Sequence, residues 1–214
     1  MQTLLLSIFA AAALLQLYAC FYGKQRLRAI TKPLLMPLLA VLYFISADEP
    51  RLLVAATLLC GMAGDIFLLL PNKFFKYGMI FFGLGHIGYI AAFFLYAGAG
   101  GAPFFPAVLL AALYMGAAAS FHGRIFSYIP KERKAETFFY TLLLCAMGVA
   151  AGMSFFVRST PSRLPFLLGG LLFAVSDALL ARRLFYKKSL HGNFAVMLTY
   201  LAAQACLAAG FMEL

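Results

Sequence analysis

Eight apolar runs, each near the length of a membrane-spanning helix, constrain the fold of this chain more than any other feature. They cover residues 3–22, 33–47, 52–70, 78–98, 103–120, 138–157, 164–181 and 194–212. A helix needs ~20 apolar residues to cross the hydrocarbon core of a bilayer. The runs are continuous, whereas the strands of a membrane barrel are shorter and alternate. Since lipid offers the backbone no hydrogen-bond partners, the sequence predicts an all-α polytopic protein with eight transmembrane helices.

The composition agrees with this class of protein and leaves no room for a second domain. Charged residues make up only 11% of the chain, against about 25% in soluble domains. The longest hydrophilic connection, residues 121–137, is too short to fold alone, so we expect one domain over residues 1–214. The second run is shorter than the others and is expected to tilt little or to extend at one end.

The basic residues predict how the helices are oriented. Fourteen of the 17 fall in the connections after the first, third, fifth and seventh runs; they are Lys24, Arg26, Arg28, Lys32, Lys73, Lys76, Arg124, Lys131, Arg133, Lys134, Arg182, Arg183, Lys187 and Lys188. Cytoplasmic connections carry the excess of Lys and Arg, so eight helices place both termini outside. The net charge of +10 then reflects the orientation of the helices and favours contact with anionic lipid. It does not imply a nucleic-acid partner.

Two aspartates inside apolar runs are the strongest functional signal. Asp65 lies in "AGDIFLL" and Asp177 in "VSDALLA", and each stands about one helical turn from the predicted cytoplasmic end of its helix. The remaining five acidic residues belong to connections or to the terminus. Ionisable residues within the membrane are expensive and are by default candidates for a functional site. Two parallel helices therefore offer carboxyl groups at one depth.

Other polar side chains are expected in the same layer. Lys32 stands at the predicted inner end of the second helix, directly before Pro33, and Asn72 just past the third. His86 lies in the fourth run, and Tyr200 and Gln204 share one face of the eighth at i and i+4. The outer half of the runs has almost nothing comparable. This asymmetry predicts a site that opens towards the cytoplasmic leaflet.

Paired carboxyl groups in a low-dielectric site favour acid–base hydrolysis. Desolvation and mutual repulsion oppose two charges, so one group stays protonated as a donor while its partner serves as base. Metal hydrolysis fits less well, because a zinc site takes about three protein ligands and the runs contain one histidine. The four cysteines stand singly in different runs, without metal-ligand or disulfide spacing. We predict no metal and no cofactor.

An ordered set of motifs resembles the YhhN family of membrane proteins, which includes the lysoplasmalogenases. The matching stretches are "TKPLLMPLL" (31–39), "GMAGDIFLLL" (61–70), "GLGHIGYI" (83–90), "AVSDALLA" (174–181) and "TYLAAQACLAAG" (199–210). They span most of the chain and agree with an eight-helix layout.

The resemblance implies hydrolysis of the vinyl-ether bond of a lysoplasmalogen. The products are a fatty aldehyde and glycerophosphoethanolamine or glycerophosphocholine, and Asp65 and Asp177 form the catalytic pair. By hypothesis, Lys32 and Asn72 hold the substrate phosphate, and His86, Tyr200 and Gln204 complete the binding site. The partners are then a lysophospholipid and membrane lipid, and the membrane is the plasma (inner) membrane if the source is bacterial. Which aspartate is the acid stays open, as does the oligomeric state.

Three other functions are compatible with intramembrane aspartates. A proton-coupled transporter would use the same two residues, but should have polar groups leading to both sides of the membrane. An intramembrane aspartyl protease also uses two aspartates, but its G-x-G-D element is broken here by Met62. A structural role is the third. A hydrolase needs only detergent and substrate, whereas a transporter needs a sealed vesicle.

Overall fold

A computed structural model of the chain describes residues 1–187, 189 and 191–214. Its long helices are α1 (Gln2–Phe21), α2 (Gln25–Ser46), α3 (Leu52–Leu69), α4 (Phe75–Leu95), α5 (Phe104–Ile125), α6 (Lys134–Phe156), α7 (Leu164–Ala181) and α8 (Gly192–Met212). All eight are long and apolar enough to cross a membrane. Among the described residues there is no β-strand. The predicted all-α fold is confirmed: the chain is an integral, multi-pass membrane protein. Lys188, one of the predicted cytoplasmic basic residues, lies outside the described residues.

Helix α2 differs most from its prediction. It begins at Gln25, so Pro33 and Pro37 lie inside the helix. Interior proline removes a backbone N–H and kinks a helix, yet membrane helices tolerate it where neighbouring groups satisfy the freed carbonyl. The predicted place of Lys32 at the end of this helix is therefore wrong. Lys32 lies about two turns inside α2 and is buried.

The helices flanking the connection after α5 also extend further than predicted. Helix α5 continues to Ile125, and α6 already begins at Lys134. Both extensions carry basic residues, which a hydropathy criterion excludes. Lys and Arg nevertheless have good helix propensity, and their long stems let the charged end reach the headgroup layer. Helices therefore continue beyond the apolar runs at their basic ends.

Seven of the helices form a closed ring. Around the ring, α1 packs on α2, α2 on α3, α3 on α4, α4 on α6, α6 on α7, α7 on α8, and α8 on α1. Helix α8 also contacts α2 and α3. Helix α5 packs mainly on α6 and presents large apolar residues outwards, including Phe104 and Phe105. Such exposed side chains suit a surface that faces lipid rather than water.

Small residues allow the close helix contacts, as the Gly148-x-x-x-Gly152 spacing predicts. A Cβ atom at Gly152 would lie 2.6 Å from Leu110 of α5, and one at Gly169 would lie 2.6 Å from Leu207 of α8. Neither distance is possible for a real side chain. These glycines set the distance between α5 and α6 and between α7 and α8.

Candidate active site

Asp65 is held by a buried ion pair. It lies one turn before the end of α3 and is 1% exposed. Its Oδ1 atom is 2.9 Å from Nζ of Lys32, on α2. Its Oδ2 atom is buried and has no hydrogen-bond partner among the described residues. A buried charge requires a close partner, and the ammonium group of Lys32 supplies one for Asp65.

Helix α8 contributes a chain of hydrogen bonds beside Asp65. The hydroxyl of Tyr89, from α4, donates to Oε1 of Gln204 at 2.6 Å. The Gln204 Nε2 group donates in turn to the hydroxyl of Tyr200 at 3.4 Å. Gly61 of α3 permits this approach, since a Cβ atom there would lie 3.0 Å from the Tyr200 hydroxyl. The predicted face of Tyr200 and Gln204 therefore packs against the helix that carries Asp65.

Asp177 has different surroundings. It lies one turn before the end of α7, and its side chain is 13% exposed. The hydroxyl of Tyr140, on α6, donates to its Oδ2 atom at 2.6 Å. Nε2 of the buried His86, on α4, lies 3.1 Å from the Tyr140 hydroxyl and 3.8 Å from Asp177 Oδ2. Each aspartate thus has its own partners: an ammonium group for Asp65, and a phenol backed by an imidazole for Asp177.

The two carboxyl groups line one cavity of about 70 Å³. This cavity lies mainly between α2, α3, α7 and α8. Its charged lining residues are Arg28, Lys32, Asp65, Asp177 and Arg183. A space of ~10–15 Å³ admits one water molecule by this measure of volume. The cavity therefore has room for water beside both aspartates.

Asp177 also stands at the boundary with two apolar cavities. One, of about 140 Å³, lies between α5, α6 and α7 and is lined by Tyr114 and Leu144. The other, of about 50 Å³, is bounded by Phe75 and Met79 of α4 and by Leu180 of α7. Because Asp177 lines all three spaces, its carboxyl group lies where a polar compartment meets apolar ones. An amphiphile with a polar end and a hydrocarbon chain suits this arrangement.

Asn72 is the one predicted site residue that lies apart from the others. It is exposed, in a short 3₁₀ turn after α3, and does not line the cavity. Its backbone carbonyl accepts a hydrogen bond from Arg133 at 3.4 Å. The turn leads directly into α4, which begins at Phe75. The structure therefore brings Asp65, Asp177, Lys32, His86, Tyr200 and Gln204 together, without Asn72.

Sequence reasoning missed three residues of this region. Tyr140 lies among the aromatic residues of "TFFYTLL". Nothing in that pattern distinguishes a tyrosine buried in the bundle from one at the membrane interface. Arg28 and Arg183 were counted only as topology signals. The position of Arg28 one turn before Lys32 was the available clue, because residues at i and i+4 share a helix face.

Eight membrane-spanning helices that enclose two aspartates define a class: polytopic membrane proteins with an intramembrane pair of carboxyl groups. The family model described as the YhhN family matches residues 27–211, which include every residue of the cavity except Cys20. The chain therefore belongs to the YhhN family, as its motifs indicated.

Two relatives of the chain are named lysoplasmalogenases. The chain is 30% identical to the lysoplasmalogenase TMEM86B of Sus scrofa over 179 residues, covering 80% of this chain and 70% of the relative. It is 29% identical to the lysoplasmalogenase TMEM86B of Homo sapiens over 176 residues, covering 79% of this chain and 69% of the relative. No solved structure matches the chain at a significant level.

Proposed function

We propose that this protein is a membrane hydrolase that cleaves the vinyl-ether bond of lysoplasmalogens, with Asp65 and Asp177 as its acid–base pair. The observation that carries the proposal is that both carboxyl groups line one cavity in unlike surroundings. The relatives named lysoplasmalogenase support the reaction class. The products are a fatty aldehyde and glycerophosphoethanolamine or glycerophosphocholine.

The surroundings of the two aspartates suggest an assignment of roles. Asp65 is the base, because the ammonium group of Lys32, 2.9 Å away, favours its ionised form. Asp177 is the acid, because it borders the apolar cavities and has no cation as close. The Tyr140 hydroxyl occupies Oδ2, which leaves Oδ1 to carry the reactive proton. His86, hydrogen-bonded to Tyr140, holds the Tyr140 hydroxyl in position beside Asp177.

The reaction then proceeds by protonation at carbon. Asp177 transfers its proton to the vinyl carbon remote from the ether oxygen, and the electron pair of the double bond forms the new C–H bond. The resulting oxocarbenium ion is stabilised by the carboxylate of Asp65, as paired carboxylates stabilise the cation in glycoside cleavage. Water adds to this cation and gives its proton to Asp65. The hemiacetal then collapses to the aldehyde: Asp65 returns its proton to the glycerol oxygen, which leaves as an alcohol, and the hemiacetal hydroxyl gives its proton to Asp177.

The cavities fit the parts of such a substrate. The hydrocarbon chain occupies the apolar space next to Asp177, and the polar end lies among the charged residues beside Asp65. The vinyl ether joins these two parts and therefore lies at the boundary where Asp177 stands. Because the basic ends of the helices are predicted to face the cytoplasm, we place the site towards the cytoplasmic leaflet.

The test is aldehyde release from lysoplasmenylethanolamine by the purified protein in detergent. The proposal predicts turnover of the vinyl ether and none of the saturated 1-O-alkyl analogue, which has no double bond to protonate. In D₂O the aldehyde should carry one deuterium on the carbon next to the carbonyl group. A folded protein that releases no aldehyde would refute the proposal, and proton-coupled transport in sealed vesicles would be tested next.

A further inference from the structure

We infer that Arg28 and Arg183 form a binding site for a phosphate diester, the headgroup phosphate of the lipid substrate. This inference deepens the proposed function and rests on it for the identity of the lipid. It also replaces the predicted pair of phosphate ligands, because Asn72 lies outside the cavity and Lys32 is engaged by Asp65.

The charge of the cavity favours an anion. Three cationic side chains and two carboxyl groups line it, and one cation, Lys32, is paired with Asp65. Among the ion pairs of the described residues, neither Arg28 nor Arg183 takes part in one. The Nε atom of Arg28 is buried without a hydrogen-bond partner there, as is Oδ2 of Asp65. Buried polar atoms are normally hydrogen-bonded, so these two groups point to a ligand.

The two arginines come from different elements and line the same cavity. Arg28 lies on α2, one turn before Lys32. Arg183 lies in the π-helical turn Arg182–Tyr186 that follows α7. Its stem packs against the start of α8, where a Cβ atom at Gly192 would lie 3.1 Å from its Cδ atom. Asn193, in the first turn of α8, lines the cavity beside them. Guanidinium groups suit a phosphate because they donate two parallel hydrogen bonds.

The spacing agrees with the geometry of a lysoplasmalogen. One helical turn, ~6 Å along the axis, separates Arg28 from Lys32, the residue that contacts the Asp65 carboxylate. The glycerol backbone that joins the ether oxygen to the phosphate has a comparable length. With the vinyl ether between the two aspartates, the phosphate therefore reaches the arginines in the direction of the basic helix ends.

Equilibrium binding to the purified full-length protein tests this site without requiring turnover. The probes are the saturated lysolipid 1-O-alkyl-glycerophosphoethanolamine and the matching 1-O-alkylglycerol, which lacks the phosphate. Loss of a charge-assisted contact should raise the Kd of the lysolipid about 10- to 100-fold in Arg28→Gln and in Arg183→Gln. The Kd of the alkylglycerol should stay unchanged in both variants, which also shows that they are folded.

Two exposed arginines close in sequence serve as matched controls. Arg26→Gln and Arg182→Gln remove the same charge from the same two elements but outside the cavity, and should leave both Kd values unchanged. An unchanged lysolipid Kd in Arg28→Gln and Arg183→Gln would overturn the inference, as would an equal loss for both probes.

Inorganic phosphate is the third probe and distinguishes a lipid headgroup from a free anion. Binding of inorganic phosphate as tight as that of the lysolipid would contradict the assignment to a headgroup. Because neither lysolipid nor alkylglycerol is cleaved, the outcome is independent of the proposed reaction. Arginine-dependent binding without aldehyde release from the vinyl ether would keep the phosphate site and reject only the hydrolase.

Discussion

The ion pair between Lys32 and Asp65 is the contact that says most about how the site works. It places a cation and an anion, both nearly inaccessible, 2.9 Å apart between α2 and α3. Such a pair is weak evidence of stability by itself, since desolvation of two charges offsets much of their attraction. Its value in the proposed mechanism is to hold one carboxylate ionised next to a second that is protonated. The two aspartates can then act differently although both line the same cavity.

Replacement of Lys32 by Met should separate these two effects. The variant leaves a buried carboxylate without its cation, so we expect the free energy of unfolding to fall by about 3–5 kcal/mol. Aldehyde release should also fall, because Asp65 loses the group that favours its ionised form. Thermal unfolding in detergent and the rate of aldehyde release measure the two effects.

The double variant Lys32→Met/Asp65→Asn provides the control. Removing both charges should restore most of the stability, while activity stays absent because the base is missing. If Lys32→Met alone were as stable and as active as the unmodified protein, the ion pair would have no part in the site.

Among the helices, the close approach of α4 to α3 shapes the site, and a glycine on α3 makes this approach possible. Gly64 precedes Asp65 on α3, and a Cβ atom there would lie 2.7 Å from the ring of Phe82 on α4. Phe82 lines both the charged cavity and one apolar cavity. Gly64 therefore leaves room for the ring of Phe82 between the charged cavity and the apolar one, next to the residue that precedes Asp65.

Gly64→Ala should displace Phe82 and disturb the site. Overpacking of this kind costs about 1–3 kcal/mol, so we expect a lower midpoint of thermal unfolding and a higher KM for the lysoplasmalogen. Gly83→Ala, in α4, is the matched control, because its Cβ atom would lie an ordinary 3.5 Å from Leu143. Equal effects of the two substitutions would show that Phe82 has no special position.

The elements also show what could be read from the sequence. Apolar runs located all eight helices, because membrane thickness sets a length that the chain must meet. They missed the basic ends, as in α2, where Lys32 and Pro33 fall inside the helix rather than at its start. The depth of Asp65 and Asp177 was predictable from helix direction. The partners of Asp177 were not, since the contact of Tyr140 with α7 depends on helix rotation and packing rather than on local pattern.

For the whole molecule, the strongest expectation is its orientation. Basic residues flank the ends of the helices at which Asp65 and Asp177 lie, and this distribution predicts that both termini face outside. Epitope tags at the two termini should then be accessible to antibody on intact cells. A tag in the connection between α5 and α6 should be accessible only after the membrane is opened. Labelling of that connection on intact cells would reverse the orientation and move the site to the other leaflet.

The catalytic role proposed for Asp65 and Asp177 is tested by substitution of each. Aldehyde release from lysoplasmenylethanolamine should be measured for the purified protein, for Asp65→Asn and for Asp177→Asn. Glu132→Gln, at an exposed acidic residue outside the bundle, is the control. We expect both Asn variants to fold and to lose about 10²–10⁴-fold in rate, the usual contribution of a general acid or base, while the control retains full activity. Full activity in either folded Asn variant would contradict a catalytic role for that aspartate.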